Sequence, residues 1–220
     1  MPSKLNDCRR RSSQSEGIHS TNAMTPQLDL FDDAAAAPRP APTLPEGFRY
    51  QPEVIAAVDE RVLVARFRKL PLREFEFHGY TGKRRVVSFG WRYDFAGGHL
   101  LKADPIPDFL ISLRDVAAAF AGLDPMALQQ VLVTEYAEGA GIGWHRDKAV
   151  FGQVVGISLL APCVFRFRRA AGKRWERSKQ GVAPRSAYLL HGPARSEWEH
   201  SIPPVEALRY SITFRSLREG

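Results

Sequence analysis

The run His145-Arg146-Asp147 sets an imidazole and a carboxylate one residue apart, and two more histidines, His191 and His200, follow downstream. Two histidines and one aspartate can occupy one face of an octahedral iron and leave three positions open, the arrangement of non-haem Fe(II) oxygenases. On a strand, alternate side chains share a face, so His145 and Asp147 could reach one metal. Spacing barely separates the candidates for the third ligand: His191 follows Tyr188-Leu189-Leu190, and His200 follows Trp198-Glu199. Arg209 and Arg215 flank Tyr210-Ser211-Ile212-Thr213-Phe214. Period two puts Arg209, Ser211, Thr213 and Arg215 on one face of a strand and Tyr210, Ile212 and Phe214 on the other. So polar a face fits a strand lining a ligand cavity, and equally an edge strand with a solvated side. An arginine lining a cavity could grip a carboxylate through a two-pronged hydrogen bond. A metal with open positions beside such a clamp suggests oxygenation with a carboxylate cosubstrate.

These side chains need a rigid frame. Apolar residues recur at helical spacing over 53–67 (Val54, Ile55, Val58, Val62, Leu63) and over 109–120, where Pro107 and Asp108 open the segment and Gly122 closes it. From about residue 128 the texture changes. Segments 128–136, 153–160, 164–168, 186–190 and 208–214 are short, β-branched or aromatic, and separated by Gly, Pro and charged loops, so they predict strands. Helices first and strands later predict an α+β fold, a double-stranded β-helix (jelly-roll) barrel with the N-terminal helices packed on one sheet. His19, His78 and His99 fall in tail, loop or lid positions.

The chain has 220 residues, 44% of them hydrophobic, which suits one sizeable domain with a flexible end. The domain is expected over 46–220 and a tail over 1–45, where Arg9-Arg10-Arg11, Ala34 to Ala37 and a Pro-rich stretch offer little to offset ordering entropy. The formal charge of +7 favours anionic partners such as nucleic acid. Of the two cysteines, Cys8 lies in the tail and Cys163 in an apolar run, so a disulfide is not expected and a reducing cytoplasm fits. No apolar run approaches the roughly 18 residues of a membrane span, and no secretory signal is visible. Within the tail, Gln27-Leu28-Asp29-Leu30-Phe31 resembles the short peptide by which bacterial repair proteins and polymerases dock on the sliding clamp. Leu28, Leu30 and Phe31 would supply the apolar contacts and Gln27 polar ones.

Three segments together resemble the AlkB family of dioxygenases across roughly residues 50–218. They are Tyr136-Ala137-Glu138-Gly139 through His145-Arg146-Asp147-Lys148, then Trp198-Glu199-His200-Ser201-Ile202, and the strand RYSITFR at 209–215. The resemblance implies that His145, Asp147 and His200 hold Fe(II), favouring His200 over His191. It implies that Arg209 binds the distal carboxylate of 2-oxoglutarate, that Tyr136 hydrogen-bonds the same cosubstrate, and that Arg215 sits near Asp147. The implied reaction consumes O2 and 2-oxoglutarate, releases succinate and CO2, and hydroxylates an N-linked alkyl carbon that leaves as formaldehyde. The chain departs from the family at Thr134 and Ser211, where asparagines commonly help hold 2-oxoglutarate. It departs again at Ala149, where repair members carry an acid that accepts from the amino group of the damaged base. Without that acid a buried base edge loses one partner.

By position, the substrate lid is expected at about 75–100. Lys83 and Arg84 precede Phe89, Trp91 and Tyr93, and cations beside aromatics suit phosphates and an extruded base. A basic hairpin whose rings simply pack on the barrel is the alternative. A second basic cluster, Arg166, Arg168, Arg169, Lys173, Arg174, Arg177 and Lys179, surrounds the turn at Gly172. The reading that follows is oxidative dealkylation of alkylated DNA, with the clamp-like peptide favouring DNA over RNA. Its rivals are an RNA-modifying or protein-directed oxygenase and a non-catalytic nucleic-acid binding module.

Overall fold

The computed structural model describes residues 43–77 and 80–218. The clamp-like peptide 27–31, Cys8, His19 and His78 lie outside the described residues. In chain order the elements are β1 (Phe48–Gln51), α1 (Ala57–Phe67), β2 (Arg73–Phe77), β3 (Tyr80–Phe89), β4 (Trp91–Asp94), β5 (His99–Lys102) and α2 (Ile111–Ala121). Then follow β6 (Leu128–Tyr136), β7 (Ile142–His145), β8 (Phe151–Leu159), β9 (Cys163–Ala171), β10 (Arg174–Val182), β11 (Ser186–Leu190), α3 (Gly192–Ser196), β12 (Glu199–Ile202) and β13 (Arg209–Leu217). A seven-stranded sheet has the order β1-β11-β8-β13-β6-β3-β2, a four-stranded sheet the order β10-β9-β12-β7, and β4 pairs with β5 as a separate hairpin.

Alternation along the central strands sorts the residues into two cores. On β13, Tyr210, Ile212 and Phe214 point to the same side as Val131 and Val133 of β6 and Val155, Ile157 and Leu159 of β8. The apolar faces of α1 (Leu63, Val64, Phe67) and α2 (Leu113, Ala117, Ala118) cover that side. Helix α2 stops at Gly122, whose φ of 72° is the left-handed cap that costs glycine nothing. The expected α+β barrel with helices on one sheet is therefore the fold. No helix among the described residues is long and apolar enough to cross a membrane.

The second core lies between the two sheets, built from Val154, Phe165, Phe167, Tyr188, Leu190, Trp198 and Ile202. Arg209, Ser211, Thr213 and Arg215 all turn toward it and are buried. β13 pairs with β8 on one side and β6 on the other, so the edge-strand alternative does not apply. A central strand with a polar inner face frames a site.

Candidate active site

The register of β12 on β7 sets His200 directly opposite His145, with ring centroids 4.3 Å apart. His200 Nε2 lies 3.6 Å from Asp147 Oδ2. β7 ends at His145, so Asp147 comes from the loop beyond it and not, as the alternation expects, from the strand. Arg215 fixes it there. Its Nε and Nη2 donate to Asp147 Oδ1 at 2.9 and 2.8 Å, while Nη1 donates to Gln130 Oε1 at 2.9 Å. His191, the other candidate, is exposed at the start of α3.

Burial pushes the His200 ring down to about 3, and His145 beside it adds to the effect. Burial lowers His145 as well. For Asp147, burial alone would raise the carboxyl, but the Arg215 guanidinium overrides it and holds the group well below the usual carboxylate range. The His145 Nδ1 is 2.9 Å from the Gly143 carbonyl, so a neutral ring that donates there keeps its Nε2 lone pair free. Two neutral imidazoles and an ionised carboxylate are the protonation states that metal ligation requires. The three groups are neighbours in pairs. Asp147 gives Oδ1 to Arg215 and sets Oδ2 beside His200, and as they stand the three groups do not close into a three-donor cluster among the described residues.

Arg209 is fully buried, its Nε donating to Ser158 Oγ at 3.1 Å and its guanidinium 5.0 Å from the Tyr136 ring centroid. Its Nη1 and Nη2 have no hydrogen-bond partner. The Cys163 thiol, raised by burial despite the nearby Arg209 charge, is a neutral and weak acceptor that does not satisfy them. Tyr188 approaches the same arginine and hydrogen-bonds Ser211, and burial raises its phenol to about 12. Gly156 makes room for it: a Cβ there would stand 2.1 Å from Tyr188 Cζ. A cavity of about 650 Å³ is lined among others by Tyr136, His145, Asp147, Tyr188, His200 and Ser211; Arg209 does not line it but stands against Tyr136 and Tyr188, which do.

Residues 65–215 match the family model described as the 2OG-Fe(II) oxygenase superfamily. The chain belongs to that superfamily. It is 26% identical over 166 residues to the alpha-ketoglutarate-dependent dioxygenase AlkB of Salmonella typhimurium, covering 64% of this chain and 74% of that protein. It is 28% identical over 162 residues to an alkylated DNA repair protein ALKBH8 homolog of Arabidopsis thaliana, covering 62% of this chain and 47% of the relative, so it spans about half that protein's length. The structure of OsALKBH1 superposes with a TM-score of 0.64 at 17% identity, over 79% of this chain and 98% of that one. A Pseudomonas putida prolyl-4-hydroxylase shares the fold at a TM-score of 0.53 and 16% identity, over 79% of this chain and 94% of that one. The chain thus carries an AlkB-like domain of a superfamily that uses Fe(II), 2-oxoglutarate and O2.

The expected lid residues divide sharply. Arg84 and Tyr93 line the cavity. Phe89 does not: it is 5% exposed in the core under the helices. Parity explains the correction, because Arg84, Val86 and Ser88 face the cavity and the odd positions of β3 face away. Lys83 is exposed and does not line the cavity, and Trp91 is covered by Lys102, whose Nζ lies 4.0 Å from its ring. Thr134 and Ser211 stand opposite each other across β6 and β13 and both line the cavity. Sequence reasoning missed Tyr188 and Phe95. Phe95 joins Tyr93 at the cavity, with Lys148 Nζ 5.0 Å from each ring. Gly156, set between Val155 and Ile157 in the middle of β8, was the one signal of a close approach at Tyr188.

Proposed function

We propose that this AlkB-like dioxygenase oxidatively dealkylates nucleic acid, alkylated DNA bases first among its substrates. The observation that carries the reading is Arg209. A buried guanidinium with two unpartnered terminal nitrogens is costly, and a carboxylate is the group whose geometry completes it. In this reading Arg209 takes the distal carboxylate of 2-oxoglutarate, with Tyr136 and Tyr188 as hydroxyl partners and Thr134 and Ser211 in place of the family's asparagines. His145, Asp147 and His200 would hold the iron, Asp147 through the Oδ2 that Arg215 leaves free. The bound iron and cosubstrate supply the oxidising power. Arg215 keeps Asp147 ionised and aimed, and Gly143 keeps the His145 tautomer. Tyr93 and Phe95 offer rings on which an extruded base stacks, and Arg84 and Lys148 bring cations to its phosphates.

The relatives named for alkylated DNA repair and AlkB support a nucleic-acid substrate. The preference for DNA rests on the peptide 27–31, read as a sliding-clamp ligand tethered to a catalytic domain over 46–220. At Ala149, exposed and outside the cavity lining, no acid stands to accept from the amino group of a damaged base, which counts against lesions that need that contact.

The test is formaldehyde and succinate release from a panel of methylated DNA and RNA oligonucleotides, using protein loaded anaerobically with Fe(II) and then given 2-oxoglutarate and air. Formaldehyde that depends on one oligonucleotide establishes dealkylation and names the lesion. Succinate with no formaldehyde from any of them moves the assignment to another oxygenase substrate. Neither product, with iron bound, leaves a binding module.

A further inference from the structure

The four-stranded sheet has an inner face, which carries His145 and His200, and an outer face to which the same strands send a different set. The register aligns Arg177 with Arg168 and Lys179 with Arg166 on β10 and β9, and Ser201 and Glu199 of β12 fall in the same rows. Trp144 precedes His145 on β7 and so points outward with them. The side chains form a ladder. The Arg166 and Arg168 guanidiniums lie 5.1 and 4.6 Å from the Trp144 ring, and Arg168 lies 4.4 Å from Trp175.

Its charge balance is unusual. Like charges directly opposed on neighbouring strands are destabilising, and this face has two such pairs. Glu199 answers Arg168 at 2.5 Å, and Arg166 donates to Ser201 Oγ at 3.0 Å. Arg177 and Lys179 are exposed and make no ion pair or side-chain hydrogen bond among the described residues. Trp175 is 43% exposed. Trp144 also lines the catalytic cavity, so the ladder starts at the active site and crosses four strands, about 14 Å at ordinary strand spacing.

We infer that the outer face of this sheet is a docking track for the nucleic-acid strand whose modified base enters the cavity. The inference rests on the nucleic-acid reading above. Phosphates answer Arg177 and Lys179 and relieve the opposed cations, while Trp175 and the Arg-flanked Trp144 present stacking surfaces. An acidic protein would answer the charge but would not use the exposed ring of Trp175.

The experiment compares the full chain with Arg177→Ser/Lys179→Ser and with Trp175→Ala, measuring anisotropy of an unmodified, labelled 12-nucleotide strand across salt concentrations. The double variant is expected to bind five- to ten-fold more weakly. Its plot of log affinity against log salt should flatten by about 1.4, at roughly 0.7 per lost phosphate contact on single strands. Trp175→Ala should weaken binding several-fold with the slope unchanged. Formaldehyde release from a methylated trinucleotide, too short to reach β10, should be that of the wild type in both. Wild-type affinity and slope in the double variant would overturn the track and leave the function standing. A wild-type protein that binds no strand at low salt yet releases formaldehyde from the methylated trinucleotide would overturn the track alone, and one that does neither would overturn both. Displacement of the strand by polyglutamate of equal charge as effectively as by unlabelled strand would overturn the assignment to nucleic acid, since the indoles would then contribute nothing.

Discussion

Strands β13 and β10 carry the same kind of residue to opposite ends. β13, in the middle of the seven-stranded sheet, buries Arg209 and Arg215. β10, on the edge of the four-stranded sheet, holds Arg177 and Lys179 in water, each facing another cation. Where desolvation is complete, every guanidinium nitrogen needs a partner. Arg215 has Asp147 and Gln130, and Arg209 has Ser158 and two open nitrogens. Where water reaches the charge, opposition is tolerated and no single partner is specified. A buried arginine therefore predicts one ligand group at one place, and an exposed row predicts a polyanion along a line.

The largest effect expected on the buried side is at Asp147. Asp147→Ala removes a proposed metal ligand and leaves Arg215 with Gln130 alone, an uncompensated buried charge. Turnover should vanish, iron retained on a desalting column should fall to background, and the melting temperature should drop by several degrees. Near-normal turnover would remove the iron assignment. Arg209→Ala comes next. Losing one partner of a buried charge pair costs about 2–5 kcal/mol, so the 2-oxoglutarate requirement should rise by more than ten-fold. Thermal stabilisation by 2-oxoglutarate with Mn(II) should be lost too. An unchanged requirement would mean that the carboxylate clamp lies elsewhere.

How much of this was legible before the structure depends on whether the signal was local. The alternation of RYSITFR gave the inner face of β13 directly, because strand parity is a property of neighbours in sequence. The same rule, applied at Phe89, would have sent it away from Arg84. The basic residues beside it drew the reading to the surface instead, and the helices bury it. Asp147 obeyed no strand rule, since β7 ends two residues before it and a long-range contact with Arg215 sets its place. His191 and His200 could not be ranked by spacing, because only the pairing of β12 with β7 puts one inside and leaves the other exposed. Tyr188 and Gly156 meet across β11 and β8, which no local pattern encodes.

That last contact gives a prediction of intermediate size. Gly156→Ala would drive a methyl into the Tyr188 ring, and overpacking of this kind costs about 1–3 kcal/mol. Tyr188→Phe keeps the ring and loses only a hydroxyl, worth about 1 kcal/mol. If Tyr188 serves the cosubstrate, Tyr188→Phe should raise the 2-oxoglutarate KM several-fold with kcat nearly unchanged and the unfolding midpoint down by only about 2–4 °C. Gly156→Ala should lower the midpoint as well. A Tyr188→Phe protein with wild-type KM would make the tyrosine a packing residue and return the clamp to Arg209 and Tyr136 alone.

The smallest effect is the one that separates the two strands most cleanly. Lys179→Ser removes one member of a like-charge pair that has no native counter-ion of its own. Surface changes usually fall within about 0.5 kcal/mol, and here the sign should be positive, because relieving an opposed pair is favourable. Urea unfolding at low salt should show a gain of a few tenths of a kcal/mol. The gain should fade near 1 M salt, where screening shortens to about 3 Å. Fold stability and strand affinity would then move in opposite directions in one variant, which is the behaviour of a charge held open for a partner. A loss of stability at low salt would instead tie Lys179 into the fold. Its cation would then be a structural charge like that of Arg215, and the contrast between β10 and β13 would disappear.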